Sequence, residues 1–393
     1  MDTQNTPVHL KLWHREFWML ALANLLLMMS AYGLLPTLPF YLLGRGLDGM
    51  QTGLVMGIYG AGLFALGGFC SYYVQRYRRN HVCQYSILGL VLCMGMAYYL
   101  EFVLGVEMEF RLLLLVRFAI GAFLGLAAMV LGSTLAIDIC ESFQRTAANH
   151  IIAWFGRLAL AMGPLAALIV YGFWGYCYIP VFSGVLALAS FVLIAMVRFP
   201  FKAPSEKMPL FSLDRFFLPQ GLPLFVNLIL IMMVVGVLLA QVHSVTYYAM
   251  LLAGLAMAIV AERFAFANAE LKSEVLTGII VLAAAVLMEF THQARALDYM
   301  QPAMIGFASG ITGSRFLLFY LKLSKHCQRG TSQSSFFLAW ETGISLGFLL
   351  KFGFLHAENI CINIVEKIFK AFCNTGTKSV DIPRNKFHLF TSH

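Results

Sequence analysis

Charge is what this sequence has least of. Of its 393 residues, 12% are Asp, Glu, Lys or Arg, against about 25% in soluble globular proteins. Sixty per cent are hydrophobic and the mean hydropathy is +0.78. A water-soluble domain of this size is therefore excluded, because there is too little polar surface to cover its core. Cysteine patterning is missing as well. Cys70, Cys83, Cys93, Cys140, Cys177, Cys327, Cys361 and Cys373 form no C-x-x-C or Cys/His set, and they read as small polarizable core residues. There is no G-x-x-x-x-G-K-[ST] loop for a nucleotide, no H-x-x-E-H, and no His pair at i+3 or i+4 inside an apolar run. Neither enzyme activity, a metal nor a cofactor is expected. A cleaved signal peptide is not expected either, since the first apolar run of 27 residues exceeds a signal core of about 7–15.

What the sequence does have is long apolar runs. A bilayer-crossing helix needs about 20 such residues. Candidates lie at 17–43, 52–74, 82–104, 112–137, 147–171, 176–197, 218–239, 245–266, 275–292, 299–321 and 333–354. The expected fold is thus an all-α polytopic membrane protein of eleven spans, with Trp13, Trp18 and Trp174 as interfacial belt residues. Fifteen Lys and Arg fall in the N-terminus and alternate loops, against Arg45, Arg111 and Arg295 on the other side. The positive-inside rule then puts the N-terminus in the cytoplasm. It also explains the formal charge of +8 without a nucleic-acid partner. Residues 198–215, with Pro200, Pro204 and Pro209, read as a cytoplasmic linker. The expected division is 1–200 as a six-span bundle, 201–355 as a five-span bundle and 356–393 as a basic tail. That tail should lie outside after eleven spans, yet it carries five Lys and Arg. It is either an amphipathic interfacial segment or the remnant of an altered or truncated twelfth span.

One internal repeat stands out, at an offset of 184. Gln144-Arg145 aligns with Gln328-Arg329, Arg157 with Glu341, and Gly163 with Gly347. Internal repeats in membrane proteins point to transporters whose site lies between the repeats. Several motifs then fall in order. Leu35-Pro36-Thr37-Leu38-Pro39 precedes Gly68 and Arg76-Tyr77-Arg78-Arg79; Arg117, Gly121 and Gly125 form R-x-x-x-G-x-x-x-G; Glu141 and Arg145 form E-x-x-x-R before Gly163-Pro164. In the second half stand Gln328-Arg329-Gly330-Thr331 and Trp340-Glu341-Thr342-Gly343 with Gly347. Over residues 17–354 this order resembles bacterial drug/proton antiporters of the major facilitator superfamily. The resemblance implies two helical bundles with twelve spans, and a gate in the loop carrying Arg76, Arg78 and Arg79; by charge counting these three arginines read instead as positive-inside anchors that set topology. The aspartate that such a loop bears four residues after its glycine is Tyr72 here, and the glycine pair after the G-P element is Ala166-Ala167.

Three intramembrane charges carry the functional expectation, because a charge there costs about 2.5–3.5 kcal/mol on insertion scales. Arg157 lies twelve residues beyond Arg145, roughly 18 Å along a helix and so near the midplane. Glu341 sits at the matching depth and would bind a coupling proton, with Arg157 tuning it; a static ion pair is the alternative. Arg117 lies near the outer end, where it either snorkels or meets an anionic substrate or a proton-carrying partner. Arg315 is placed at the cytoplasmic rim, and Glu101, Glu289 and His292 at a solvated outer rim. Pro36, Pro39 and Pro164 mark kinks. The expected function is secondary transport of a small organic solute by alternating access, as proton-coupled export from a bacterial inner membrane by a monomer. A symporter or uniporter of the same fold, or a non-transporting receptor or scaffold, is the alternative. Substrate, protons and the lipid bilayer are the expected partners.

Overall fold

The computed structural model describes residues 12–106, 108–199, 209–241, 244–266, 270–291, 295–325 and 328–354, and among them every regular element is helical. The tail 356–393, Cys327, Cys361, Cys373, His292 and linker residues 200–208 lie outside the described residues. In chain order the helices are α1 (Arg15–Tyr32), a short α2 (Leu38–Gly44), α3 (Gly49–Arg76), α4 (Arg79–Val103), α5 (Phe110–Asp138) and α6 (Arg145–Trp174). They continue with α7 (Tyr178–Met196), α8 (Pro219–Leu239), α9 (Val245–Phe264), α10 (Leu271–Met288), α11 (Ala296–Leu323) and α12 (Arg329–Gly353).

Local chemistry sets several of these boundaries. Asp48 caps α3 by accepting from the Gln51 backbone at 2.6 Å, while the Gln51 side chain accepts from the Asp48 backbone. Ser244 caps α9 by accepting from the Tyr247 backbone at 3.0 Å. The first expected span, 17–43, is corrected. It breaks at Gly33–Thr37, where Pro36 interrupts the helix and Pro39 sits in the first turn of α2. Ten helices among the described residues are long and apolar enough to cross a membrane, rather than eleven. α1 falls short because its 18 residues include Arg15, Glu16 and Asn24. Pro164, by contrast, lies inside a helix that runs unbroken from Arg145 to Trp174.

The helices pack in two sets. α1 lies against α6 and α7, α3 against α5, and α4 against α5 and α7; α8 lies against α12, and α11 against α9 and α10. The sets meet mainly where α3 crosses α12 and α6 crosses α9. Thus α6 and α12, the repeat-related helices that begin at Arg145 and Arg329, each reach into the opposite set.

In lipid, helices gain little from hydrophobic burial against one another and associate through close packing of small residues. The glycine motifs perform that role. A Cβ on Gly121 would lie 2.3 Å from the Tyr59 carbonyl, and one on Gly125 2.6 Å from the Leu63 carbonyl, so α5 rests directly on the α3 backbone. Gly343 and Gly347 press α12 onto Ile229 and Met233 of α8, and Gly163 presses α6 onto Met29 of α1.

Candidate functional site

Glu341 is 1% exposed and sits where the two helix sets meet. The Tyr32 hydroxyl of α1 donates to its Oε1, and the Tyr59 hydroxyl of α3 donates to Oε2 at 3.3 Å. Both tyrosines belong to the set opposite α12. Arg157, also 1% exposed, faces the same cavity from α6. Its Nε donates to the Ala153 carbonyl at 3.3 Å and its Nη1 to the Gly310 carbonyl of α11 at 3.1 Å. The guanidinium carbon lies 4.0 Å from the centre of the Trp154 ring, while Nη2 is buried without a hydrogen-bond partner. The two charges form no ion pair, so a static Arg157–Glu341 bridge is not what the structure contains.

The cavity they share lies among α1, α5, α6 and α12. Asn24, Gln333 and Ser334 add polar groups to walls formed chiefly by Met28, Met129, Phe336, Phe337 and Trp340. A smaller cavity reaches from Glu341 to Arg117 past Tyr59, and a third runs from Arg117 to Glu101 past Tyr41 and Tyr176. Ionisable groups thus succeed one another as Arg157, Glu341, Arg117 and Glu101. Arg117 is 6% exposed, its Nε has no acceptor, and its guanidinium stands 5.2 Å over the Tyr59 ring. It points into the fold rather than toward the interface. The i, i+4, i+8 spacing of Arg117, Gly121 and Gly125 puts the charge on the same face as the α3 seam.

One sequence expectation is corrected at the end of this route. Glu101 is not a solvated rim residue: it pairs with Arg45 and accepts from the Tyr41 hydroxyl at 2.8 Å, with 11% of its side chain exposed. Arg315 belongs to the buried network at the end that carries the basic loops. It is 8% exposed and bridges Glu274 of α10 at 2.5 Å and Glu262 of α9 at 3.4 Å. Glu289 accepts from Gln301 Nε2 at 2.9 Å.

At the end of the bundle bearing most basic loops, a second network joins the helix sets. His150 of α6 contacts Glu262 Oε1 at 3.2 Å and Ser314 Oγ at 2.9 Å, and Ser314 donates to Glu262 Oε2 at 2.9 Å. Sequence reasoning missed His150, Glu262 and Glu274. The available signal was periodicity, since His150, Trp154 and Arg157 share one face of α6.

The linker completes this end. The Arg215 backbone N–H donates to Thr331 Oγ1 of α12, and its Nη1 donates to Thr134 Oγ1 of α5, both at 2.9 Å. Thr331 donates to Asp214 Oδ1 at 3.3 Å. Arg215 pays for this with φ of 60°, the left-handed region. Burial pushes its guanidinium below the usual arginine value, and nearby Arg79 pushes the same way. Gly68 accepts the linker: its carbonyl takes the Ser212 N–H at 2.9 Å, and a Cβ there would strike the Phe211 ring. Arg79 pairs with Asp138, joining α4 to α5 within one set, whereas Arg76 and Arg78 are exposed and Arg76 lies over the Tyr72 ring at 6.0 Å. Arg145 starts α6 with its Nε buried and unpartnered, Glu141 precedes it in the loop, and the Arg329 carbonyl accepts from Asn149 at 3.3 Å.

The comparisons with known proteins fit this geometry. No curated protein matches the chain by sequence. By structure it is similar to the human organic anion transporter MFSD10, with a TM-score of 0.69 at 15% identity, covering 92% of this chain and 99% of that one. It is also similar to the nucleoside transporter NupG, with a TM-score of 0.65 at 13% identity over 92% and 98% of the two chains. A bacterial homologue of the human lysosomal transporter Spinster, in an inward-facing state, gives 0.61 at 16% identity over 92% and 93%. At such identities the likeness is one of fold. The family model for the Major Facilitator Superfamily matches residues 20–348, and with that extent the chain belongs to the Major Facilitator Superfamily of membrane transporters.

Proposed function

We propose that this protein is a secondary transporter that exports a small organic solute in exchange for protons, with Glu341 as the proton carrier. The reading rests chiefly on one observation. Glu341 is a buried carboxyl at the junction of the helix sets, held by hydroxyls of Tyr32 and Tyr59 from the set opposite its own helix. Rocking of one set against the other would separate the carboxyl from those donors. Protonation removes the charge the hydroxyls stabilise, so proton occupancy and conformation bias each other. The cavities through Arg117 to Glu101 supply a route for the proton on one side. The network of His150, Glu262 and Ser314, with the Asp214–Arg215 linker, closes the other.

The supporting frame is a monomer in a bacterial inner membrane with its N-terminus cytoplasmic, so the closed end faces the cytoplasm. The relatives of like fold carry solutes as different as organic anions and nucleosides, which leaves the substrate to this chain's own cavity. Proteoliposomes enclosing a pH-sensitive dye would test the exchange. A solute gradient should drive proton movement in the opposite direction, whereas movement in the same direction would establish a symporter and overturn the export reading.

A further inference from the structure

We propose that the substrate is an organic anion with a flat apolar body, its anionic group held by Arg157 Nη2 and its body against the aromatic wall of the central cavity. This inference names the substrate class of the site described above and rests on the transport reading for its biological meaning.

The charge balance of the connected cavities comes first. Among the described residues, the arginines in ion pairs are Arg45, Arg79, Arg215 and Arg315; Arg117 and Arg157 are in none. The central and adjoining small cavities therefore contain two unpaired guanidinium groups and one carboxyl, Glu341. Their sum is positive whether or not Glu341 carries a proton. A buried unpaired cation is costly, and an anionic ligand offsets that cost where a cationic one adds to it.

Geometry then selects the atom. The Ala153 and Gly310 carbonyls occupy Nε and Nη1, and the Trp154 ring fixes the plane of the guanidinium. The remaining Nη2 is buried and unpartnered in a residue that is 1% exposed. Two further groups lining this cavity are orphaned in the same way, Gln333 Oε1 and Ser334 Oγ. Ser334 can donate a second hydrogen bond to the anion, and Gln333 can accept from a hydroxyl or amide on the same ligand. Phe336, Phe337 and Trp340 supply flat apolar contact.

Three probes of one shape separate the possibilities: 2-naphthoate, 2-naphthamide and 2-naphthylmethylamine, each titrated by calorimetry against the purified full chain in nanodiscs. Naphthoate should bind at least about tenfold tighter than the amide, and the amine weakest, since a charge-assisted hydrogen bond is roughly twice as strong as a neutral one. Arg157→Gln should erase the preference for naphthoate over the amide, and Arg157→Lys should keep part of it, with an unchanged size-exclusion profile as the check on folding. Equal or tighter binding of amide or amine overturns the proposal, as does absence of naphthoate binding or a preference that survives Arg157→Gln. Failure of the transport reading is distinguishable: naphthoate would then bind with the predicted preference but not cross proteoliposomes.

Discussion

Arg157 and Glu341 stand 184 positions apart, occupy the same turn of repeat-related helices, and face one cavity without pairing. Each is twelve residues beyond the first residue of its helix, about 18 Å by helical rise. Each is held instead by neutral groups, Glu341 by tyrosine hydroxyls and Arg157 by carbonyls and an indole face. Two unneutralised charges at mid-depth are costly to keep, and the cost is explained if proton and substrate supply what the protein leaves out.

The tyrosine donors are the first test. Tyr32→Phe removes a hydroxyl from a buried carboxyl that has one other side-chain donor, Tyr59. A loss of about 1–3 kcal/mol is expected, visible as a lower Tm of the purified protein. An unchanged Tm would mean that the hydroxyl does not support Glu341.

The glycine seam is a matter of distance. Gly121→Val places a branched side chain where a Cβ alone would be 2.3 Å from the Tyr59 carbonyl. α5 must then move off α3, at a cost of at least about 1–3 kcal/mol. Yield of monodisperse protein should fall sharply, whereas Gly172→Ala, at a position with open space around it, should have little effect on yield.

The charged network joining the sets should be a stability element. Glu262→Ala leaves Arg315 with Glu274 alone and deprives His150 and Ser314 of their acceptor. Removing one partner from a largely buried network should cost about 2–4 kcal/mol, read as a fall in Tm.

The linker makes a prediction about access. Thr331→Val removes the acceptor of the Arg215 N–H and the donor to Asp214. A cysteine introduced at Ser133, which lies under Gly330 in the closed end, should then react faster with a water-soluble maleimide. An unchanged rate would show that the linker does not help hold this end shut.

Cys140, in the loop between α5 and α6, offers a pH test. Burial pushes its thiol up to about 11, with the charge of Arg145 opposing. The thiolate is the reactive form, so in a variant with Cys140 as its one cysteine, alkylation should be slow near neutrality and rise about tenfold per pH unit until that value. A plateau below pH 9 would contradict the burial.

Much of this was legible in the sequence because lipid imposes simple rules. Apolar length located the spans from Gly49 onward, and the 184 offset found two helices that begin in register at Arg145 and Arg329. The exception was α1, where a break at Gly33–Thr37 lies inside one apolar run and hydropathy cannot see it. Depth marked Arg157 and Glu341 as costly, but depth says nothing about partners. Tyr32 and Tyr59 are ordinary residues in apolar runs, and their contacts with Glu341 span 309 and 282 positions. Glu101 was misread and Glu262 missed for a related reason: near a span end, charge alone does not distinguish a solvated residue from one folded inward against a partner.

The coupling role of Glu341 is tested most directly by proton flux in dye-loaded proteoliposomes, comparing wild type with Glu341→Gln under a 2-naphthoate gradient. The variant keeps the shape of the side chain and cannot ionise. Wild type should show proton movement opposite to the solute, and Glu341→Gln should show none while still exchanging labelled for unlabelled naphthoate. Proton movement of wild-type size in Glu341→Gln would contradict the account.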